Sequence, residues 1–308
     1  MRKFVVKIAL FFAVIVAIDF CFGRVCDYMV AHAKGGSNKQ MNDLVMNEKY
    51  DVLIMGSSRA RHHYDPHIIS DSLGLKCYNA GYDGNGIILA YGLYNLIRDR
   101  YKPKVIVYDL TLGFDCYEYP EDQQDKRYIS QLKPYYWHPS VQDIVKRISD
   151  EEYYKLFSGL LRYNCKTVNL AKEYIQTVPM YDLGYAPLKG QMDYEPTNYE
   201  EIPNDAPIDK VKLKFFEDFI KAVQRDSVEL LMCISPRYKS SSKELYGAIE
   251  SLCAEYNVTL FDFYENAAFS SNKDLFEDAA HLNRSGATLY TEMTICDVKN
   301  YFKKKTEL

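Results

Sequence analysis

Apolar residues in this 308-residue chain fall into two kinds of run. The first is one long stretch at the start: Phe4–Val6, Ile8–Ile18 and Phe20–Phe22, interrupted by Lys7 and Asp19. About 20 mostly apolar residues cross a bilayer, and charges near the ends of a span can reach water. Residues 1–23 are read as an uncleaved signal anchor. A cleaved signal peptide is the rival reading, but no small-x-small cleavage site follows the apolar core. Arg2 and Lys3 precede the run, which favours a cytoplasmic N-terminus and a main domain outside, on the periplasmic or cell-surface side. Residues 24–49, which include Gly35-Gly36-Ser37-Asn38, read as a polar linker.

The second kind is short and recurs. Val52–Met55, Lys76–Asn79, Val105–Leu110, Val228–Ile234 and Val258–Phe263 are strand-length apolar runs bounded by turn residues. Between them lie helical patterns: Pro66–Leu73 closed by Gly74, Ile87–Arg100, Ile208–Val223, Ser241–Tyr256 and Ser285–Tyr301. In the Ile208–Val223 pattern, Val211, Phe215, Phe219 and Ala222 share one face. Alternation of this kind predicts an α/β fold: a three-layer α/β/α domain over residues 50–308, with a parallel sheet of about five strands. One stretch breaks the pattern. Residues 114–207 are rich in Tyr and predict helices at Val141–Ser149, Glu151–Leu161 and Val168–Gln176, then an irregular segment from Tyr181 to Pro207. A connection this long carries function or its own structure. It is read as a helical cap over the strand ends, with Trp137 and its neighbours as candidate sugar-stacking residues.

Composition narrows the partners. A 47% apolar and 26% charged chain is ordinarily globular, and a net charge of −4 gives no reason to expect nucleic acid. No zinc-like Cys/His spacing, P-loop or dinucleotide fingerprint is present, so neither cofactor nor metal is expected. The Gly81–Gly86 turn lacks the P-loop lysine. The eight Cys form no CxxC pair, and Cys77, Cys233 and Cys253 sit in apolar runs as buried thiols. The 28 Tyr fit packing or aromatic platforms for a sugar.

In open parallel sheets, ligands bind outside the carboxyl ends of the strands. Ser58, in Gly56-Ser57-Ser58-Arg59, follows the first strand; Gly81 follows the second; Arg237 follows the fourth. A serine there needs a base. His281, with Asp278 three positions before it, fits better than His62 or His63, which share a helical turn with Ser58. Arg237 is read as a contact for an anionic substrate or as one half of a surface ion pair.

Together, Gly56-Ser57-Ser58 after the first strand and Asp278-Ala279-Ala280-His281 near the end resemble the SGNH (GDSL-like) hydrolase family. The resemblance implies Ser58 as nucleophile, His281 as base and Asp278 as the acid that orients it. It implies an oxyanion hole from the Ser58 and Gly81 N–H groups. The family's third block carries an Asn, and Tyr108–Asp115 here has none, so Asn85 is the candidate stand-in. Similar anchored members act on acyl groups of envelope polysaccharides. The expected function is therefore a serine esterase or O-acyltransferase acting on an acylated saccharide or other ester, anchored in the membrane by its first helix. The alternative is an inactive SGNH-like protein that binds glycans or acts as a scaffold.

Overall fold

The computed structural model describes residues 1–118, 127–176, 181–196, 201–239 and 243–306. It divides into two compact units. One comprises residues 1–47 with those described in 125–180; the other comprises residues 48–124 and 181–308.

The first unit holds α1 (Arg2–Ala31) and α2 (Gly36–Asn42), followed by a π-helical turn at Asp43–Asn47. Residues 24–49, expected as a linker, thus contain the end of α1 and two short helical elements. Burial explains the continuation: Gly23, Cys26 and Val30 recur at helical spacing, and Cys26 and Val30 pack with Tyr163 and Leu170.

The second unit carries the sheet. Strands β1 (Val52–Gly56), β2 (Cys77–Asn79), β3 (Val105–Asp109), β4 (Glu229–Ile234) and β5 (Thr259–Asp262) are all parallel, in the order β2-β1-β3-β4-β5. Helices α3 (Ser58–His63), α4 (Pro66–Leu73), α5 (Ile87–Arg98) and α6 (Leu112–Asp115) belong to its first half. Every residue of β1, β2 and β3 is buried, so these strands read as unbroken apolar runs without alternation. Val52, Ile54, Val105, Val107, Leu231 and Cys233 face one side and share a core with Ile69, Tyr290, Ile295 and Val298. On the other side Tyr108 meets Phe216 and Phe219 edge-on or tilted, at 5.5 and 5.7 Å between ring centroids.

The long interruption divides between the units. In the first unit it forms α7 (Pro139–Ile148), α8 (Asp150–Lys155), α9 (Gly159–Arg162) and α10 (Thr167–Tyr174). The single helix expected over Glu151–Leu161 is two, because Ser158 turns out of the helix and caps α9 through a bond from Leu161 N–H to its Oγ, 3.2 Å. Residues 181–196 and 201–207 belong to the sheet unit, and 197–200 lie outside the described residues. The two ends of the interruption meet in the sheet unit. Tyr117 and Ile208 form an antiparallel bridge, and Glu118 N–H donates to the Pro207 carbonyl at 2.9 Å.

The chain closes with α11 (Lys210–Arg225), α12 (Gly247–Glu255) and α13 (Arg284–Thr306). On α11, Phe215, Phe219 and Ala222 are buried as the pattern predicts; Val211, in its first turn, is exposed.

Candidate active site

Two loops build the site, one directly after β1 and one between β5 and α13. After β1, Gly56 takes φ +135°, and a Cβ there would sit 2.5 Å from the Asp109 carbonyl oxygen, so the turn requires glycine. The chain then enters α3 directly. Ser57 stands at its N-cap, but its hydroxyl is 2.6 Å from Thr111 Oγ1 and caps nothing. Ser58 is the first helical residue, so its N–H has no intrahelical acceptor.

The second loop runs from Phe276 to Leu282, an antiparallel bridge, with Glu277 N–H bonded to the His281 carbonyl at 2.9 Å. It turns around Asp278, whose Oδ1 accepts from Ala280 N–H (2.8 Å) and His281 N–H (2.9 Å). The same carboxylate lies 2.9 Å from His281 Nδ1 through Oδ2. The other ring nitrogen, Nε2, is 2.7 Å from Ser58 Oγ. Residues 223 positions apart thus form one hydrogen-bonded chain from hydroxyl to imidazole to carboxylate. Burial pushes the Asp278 carboxyl up; the hydrogen bond and charge of His281 and the two backbone N–H groups outweigh this and hold it below the usual carboxylate value. Asp278 therefore stays ionised and fixes the proton on Nδ1, leaving Nε2 as the acceptor facing Ser58.

Gly81 is placed differently from the expectation. Its N–H donates to Asn79 Oδ1 at 3.0 Å, so it is already engaged. Its lack of a side chain serves packing: a Cβ would lie 2.4 Å from Arg61 N. Asn79 completes the tie by donating from Nδ2 to the carbonyls of Ala60 (2.7 Å) and Tyr64 (2.9 Å), which locks α3 to the end of β2. Asn85 is buried; its Nδ2 donates to the Asp83 carbonyl at 3.0 Å, and its Oδ1 has no partner among the described residues. One Nδ2 hydrogen has no acceptor among the described residues.

His62 and His63 do not touch Ser58. His62 lies between the Ala186 carbonyl (2.5 Å from Nδ1) and Asp83 (3.2 Å from Nε2), with its ring edge-on to His281. His63 is fully buried, and its Nε2 accepts the Leu282 N–H at 2.9 Å. Burial first, then the charges of His281 and Arg59, holds its pKa well below the ordinary value, so it is a neutral acceptor. It fixes the loop one residue past His281. Replacing His63 with Phe leaves a buried N–H unpaired and is expected to cost about 1–3 kcal/mol. The expected kinetic signature is a kcat loss exceeding any change in KM, with partial rescue in His63→Gln; urea unfolding and steady-state kinetics measure both.

Beneath Ser58 lies a charged network that the sequence motifs did not mark. Arg59 is fully buried; it pairs with Glu201 at 3.0 Å, donates to Tyr246 Oη (3.0 Å), Thr111 Oγ1 (3.2 Å) and the Leu110 carbonyl, and lies 3.7 Å from Asp109. Asp109 in turn accepts from Tyr64 (2.6 Å) and Ser235. Arg237 is not a surface ion pair. It is 7% exposed, its Nε is buried with no hydrogen-bond partner among the described residues, and its charge acts on Glu201. The eight cysteines are all unpaired.

No family model matches the chain, and no curated protein matches it. Solved structures do. A protein described as lipolytic and of the G-D-S-L family, from Desulfitobacterium hafniense DCB-2, aligns over 80% of this chain and 98% of its own, with 10% identity and a TM-score of 0.42. A protein described as a platelet activating factor, from Streptococcus pneumonia, aligns over 95% of this chain and 98% of its own, with 12% identity and a TM-score of 0.44. An acetyl xylan esterase aligns over 80% of this chain and 99% of its own, with 14% identity and a TM-score of 0.41.

Proposed function

We propose that this chain is a membrane-anchored serine esterase or O-acyltransferase that moves acyl groups on a cell-envelope glycan. The observation that carries the proposal is the unbroken Ser58–His281–Asp278 chain of hydrogen bonds. Ser58 Oγ attacks the ester carbonyl as His281 Nε2 takes its proton. The tetrahedral oxyanion is held by the Ser58 N–H, with the second Nδ2 hydrogen of Asn85 as the further donor. Collapse expels the alcohol, which takes the proton back from His281, and leaves an acyl-Ser58 ester. Water or a sugar hydroxyl, deprotonated by His281, then releases the acyl group. Hydrolysis and transfer differ only in that acceptor. Arg237 gives the reading a contact for an anionic substrate group.

The anchor rests on α1, which is long and apolar enough to cross a membrane. Its far end is built into the first unit: Arg162 pairs with Asp27 at 3.0 Å, and Tyr163 Oη donates to Asp27 at 2.6 Å. Cleavage of a signal peptide near residue 23 would strip the first unit of Asp19 and of all of α1 before Arg24, leaving only Arg24–Ala31 to present Asp27. That favours a retained helix, with Arg2 and Lys3 on the cytoplasmic side.

The engaged Gly81 N–H and the Asn-free third block favour a second reading, an inactive glycan-binding or scaffolding protein. One experiment separates the two. Membranes carrying the full chain are washed with alkaline carbonate, treated with a fluorophosphonate and digested for peptide mass spectrometry. The esterase reading expects the label in the washed membranes, on the Ser58 peptide, and none in Ser58→Ala. An unlabelled parent protein would leave the scaffold reading.

A further inference from the structure

We infer that the segment from Tyr154 to Leu161 lies in the lipid interface beside α1, as a second, shallow contact with the bilayer. The inference rests on the reading of α1 as a membrane span. All the groups involved lie within the first unit.

Within eight residues of chain, Tyr154, Phe157, Leu160 and Leu161 expose 68, 53, 43 and 50% of their surface. Water-facing helices do not gather large apolar side chains this way without a partner. The partner is identified by what the segment is pinned to. The Asp19 carboxylate accepts from Ser158 Oγ (2.7 Å), Gly159 N–H (3.1 Å) and Leu160 N–H (2.8 Å). Gly23 and Gly159 bring the two backbones together: a Cβ on Gly159 would meet Gly23 Cα at 2.4 Å and the Asp19 carbonyl oxygen at 2.6 Å. The α8–α9 turn therefore cannot slide along α1, and its level is the level of Asp19.

That level is the membrane boundary. Residues 4–18 of α1 rise about 22 Å at 1.5 Å per residue, against a hydrocarbon core of about 30 Å. Asp19 falls within about two turns of where the span ends. Val16, Ile18 and Phe20 are exposed on α1 within about one turn of Asp19, the residue that pins the Ser158–Leu160 turn. Charges next to the patch have partners within the chain: Lys155 pairs with Glu151 and Glu152, and Arg162 with Asp27. Aromatic and aliphatic side chains at a helix turn with neutralised neighbours fit the headgroup boundary, where an apolar body is buried and a phenol such as Tyr154 stays wet. A second protein would also cover an apolar patch, but lipid is what α1 already brings to this height.

The test uses the full chain in phosphatidylcholine–phosphatidylglycerol vesicles containing brominated lipid. Trp137 is the only tryptophan. In a Trp137→Phe background, two reporters are compared, Phe12→Trp in the span and Phe157→Trp in the patch. The expected result is that shallow bromines remove about half of the patch reporter's emission, with weaker loss from deep bromines. The span reporter should be quenched by the deep ones. A patch reporter that bromine leaves untouched, with the span reporter quenched, overturns the inference and hands the patch to a protein partner or to water. An unquenched span reporter removes the anchor reading, and this inference with it.

Discussion

His281→Ala is expected to lower kcat on any ester substrate by about 10⁴- to 10⁶-fold, with little change in KM. Without the imidazole, nothing takes the Ser58 proton as the oxygen attacks, and nothing returns it to the leaving alcohol. Asp278→Asn should fall less far, on the order of 10⁴-fold. An amide in place of the carboxylate no longer holds the proton on Nδ1 and no longer offsets the charge that forms on the ring. In the proposed mechanism the three groups work as one relay, so Ser58→Ala combined with His281→Ala should be scarcely slower than either alone. Initial rates on an aryl ester, with single and double variants measured side by side, check this. Additive losses in the double variant would mean that Ser58 and His281 act separately and would dismantle the relay.

The fold was legible where local pattern and tertiary role coincide. Parallel strands covered on both faces must be apolar at every position, so Val52–Met55 and Val105–Asp109 announce themselves. The Asp278–His281 spacing was legible because both residues share one tight loop. Glu201 was not. It lies in an irregular stretch, and its partner Arg59 is 142 residues away, so no periodicity or motif marks it. Arg59 itself stood beside Ser58 in plain view, but an arginine after a turn reads as a surface charge until its burial is known. Gly81 shows a different limit. Its position after β2 suggested a donor for the oxyanion, whereas the neighbouring Asn79 side chain occupies that N–H, a contact that depends on rotamer and not on spacing. The same holds for the interruption at 114–207: helices were predictable, but the attachment of α9 to α1 runs through Asp19 and Asp27, two acids that in sequence look only like breaks in a hydrophobic run.

Arg59→Met is expected to destabilise the protein by about 3–5 kcal/mol, because it leaves Glu201 and Asp109 buried without their cation. The loss should also depend on pH, in a direction the carboxyls fix. In the parent, burial pushes Glu201 up, but the charges of Arg59 and Arg237 outweigh it and hold its pKa below the ordinary value. Its contribution is therefore present above the unfolded pKa and is lost as pH falls. Asp109 is the opposite case: burial pushes it up to about 6 despite Arg59, so its contribution is present at low pH and is lost as pH rises through about 6. Without the Arg59 guanidinium both carboxyls move up, Asp109 further above its ordinary value and Glu201 from below it, with the Arg237 charge left to hold it down. Each is then harder to keep ionised in the fold. The variant's deficit should accordingly be larger at pH 8 than at pH 5, where a proton can replace the missing cation. Urea unfolding of the detergent-solubilised chain, followed by circular dichroism at the two pH values, gives the comparison. A deficit that is equal at both, or larger in acid, would show that Arg59 holds α3 through packing and its bonds to Tyr246 and Leu110 and not through its charge. Ser58 would then owe its position to shape alone.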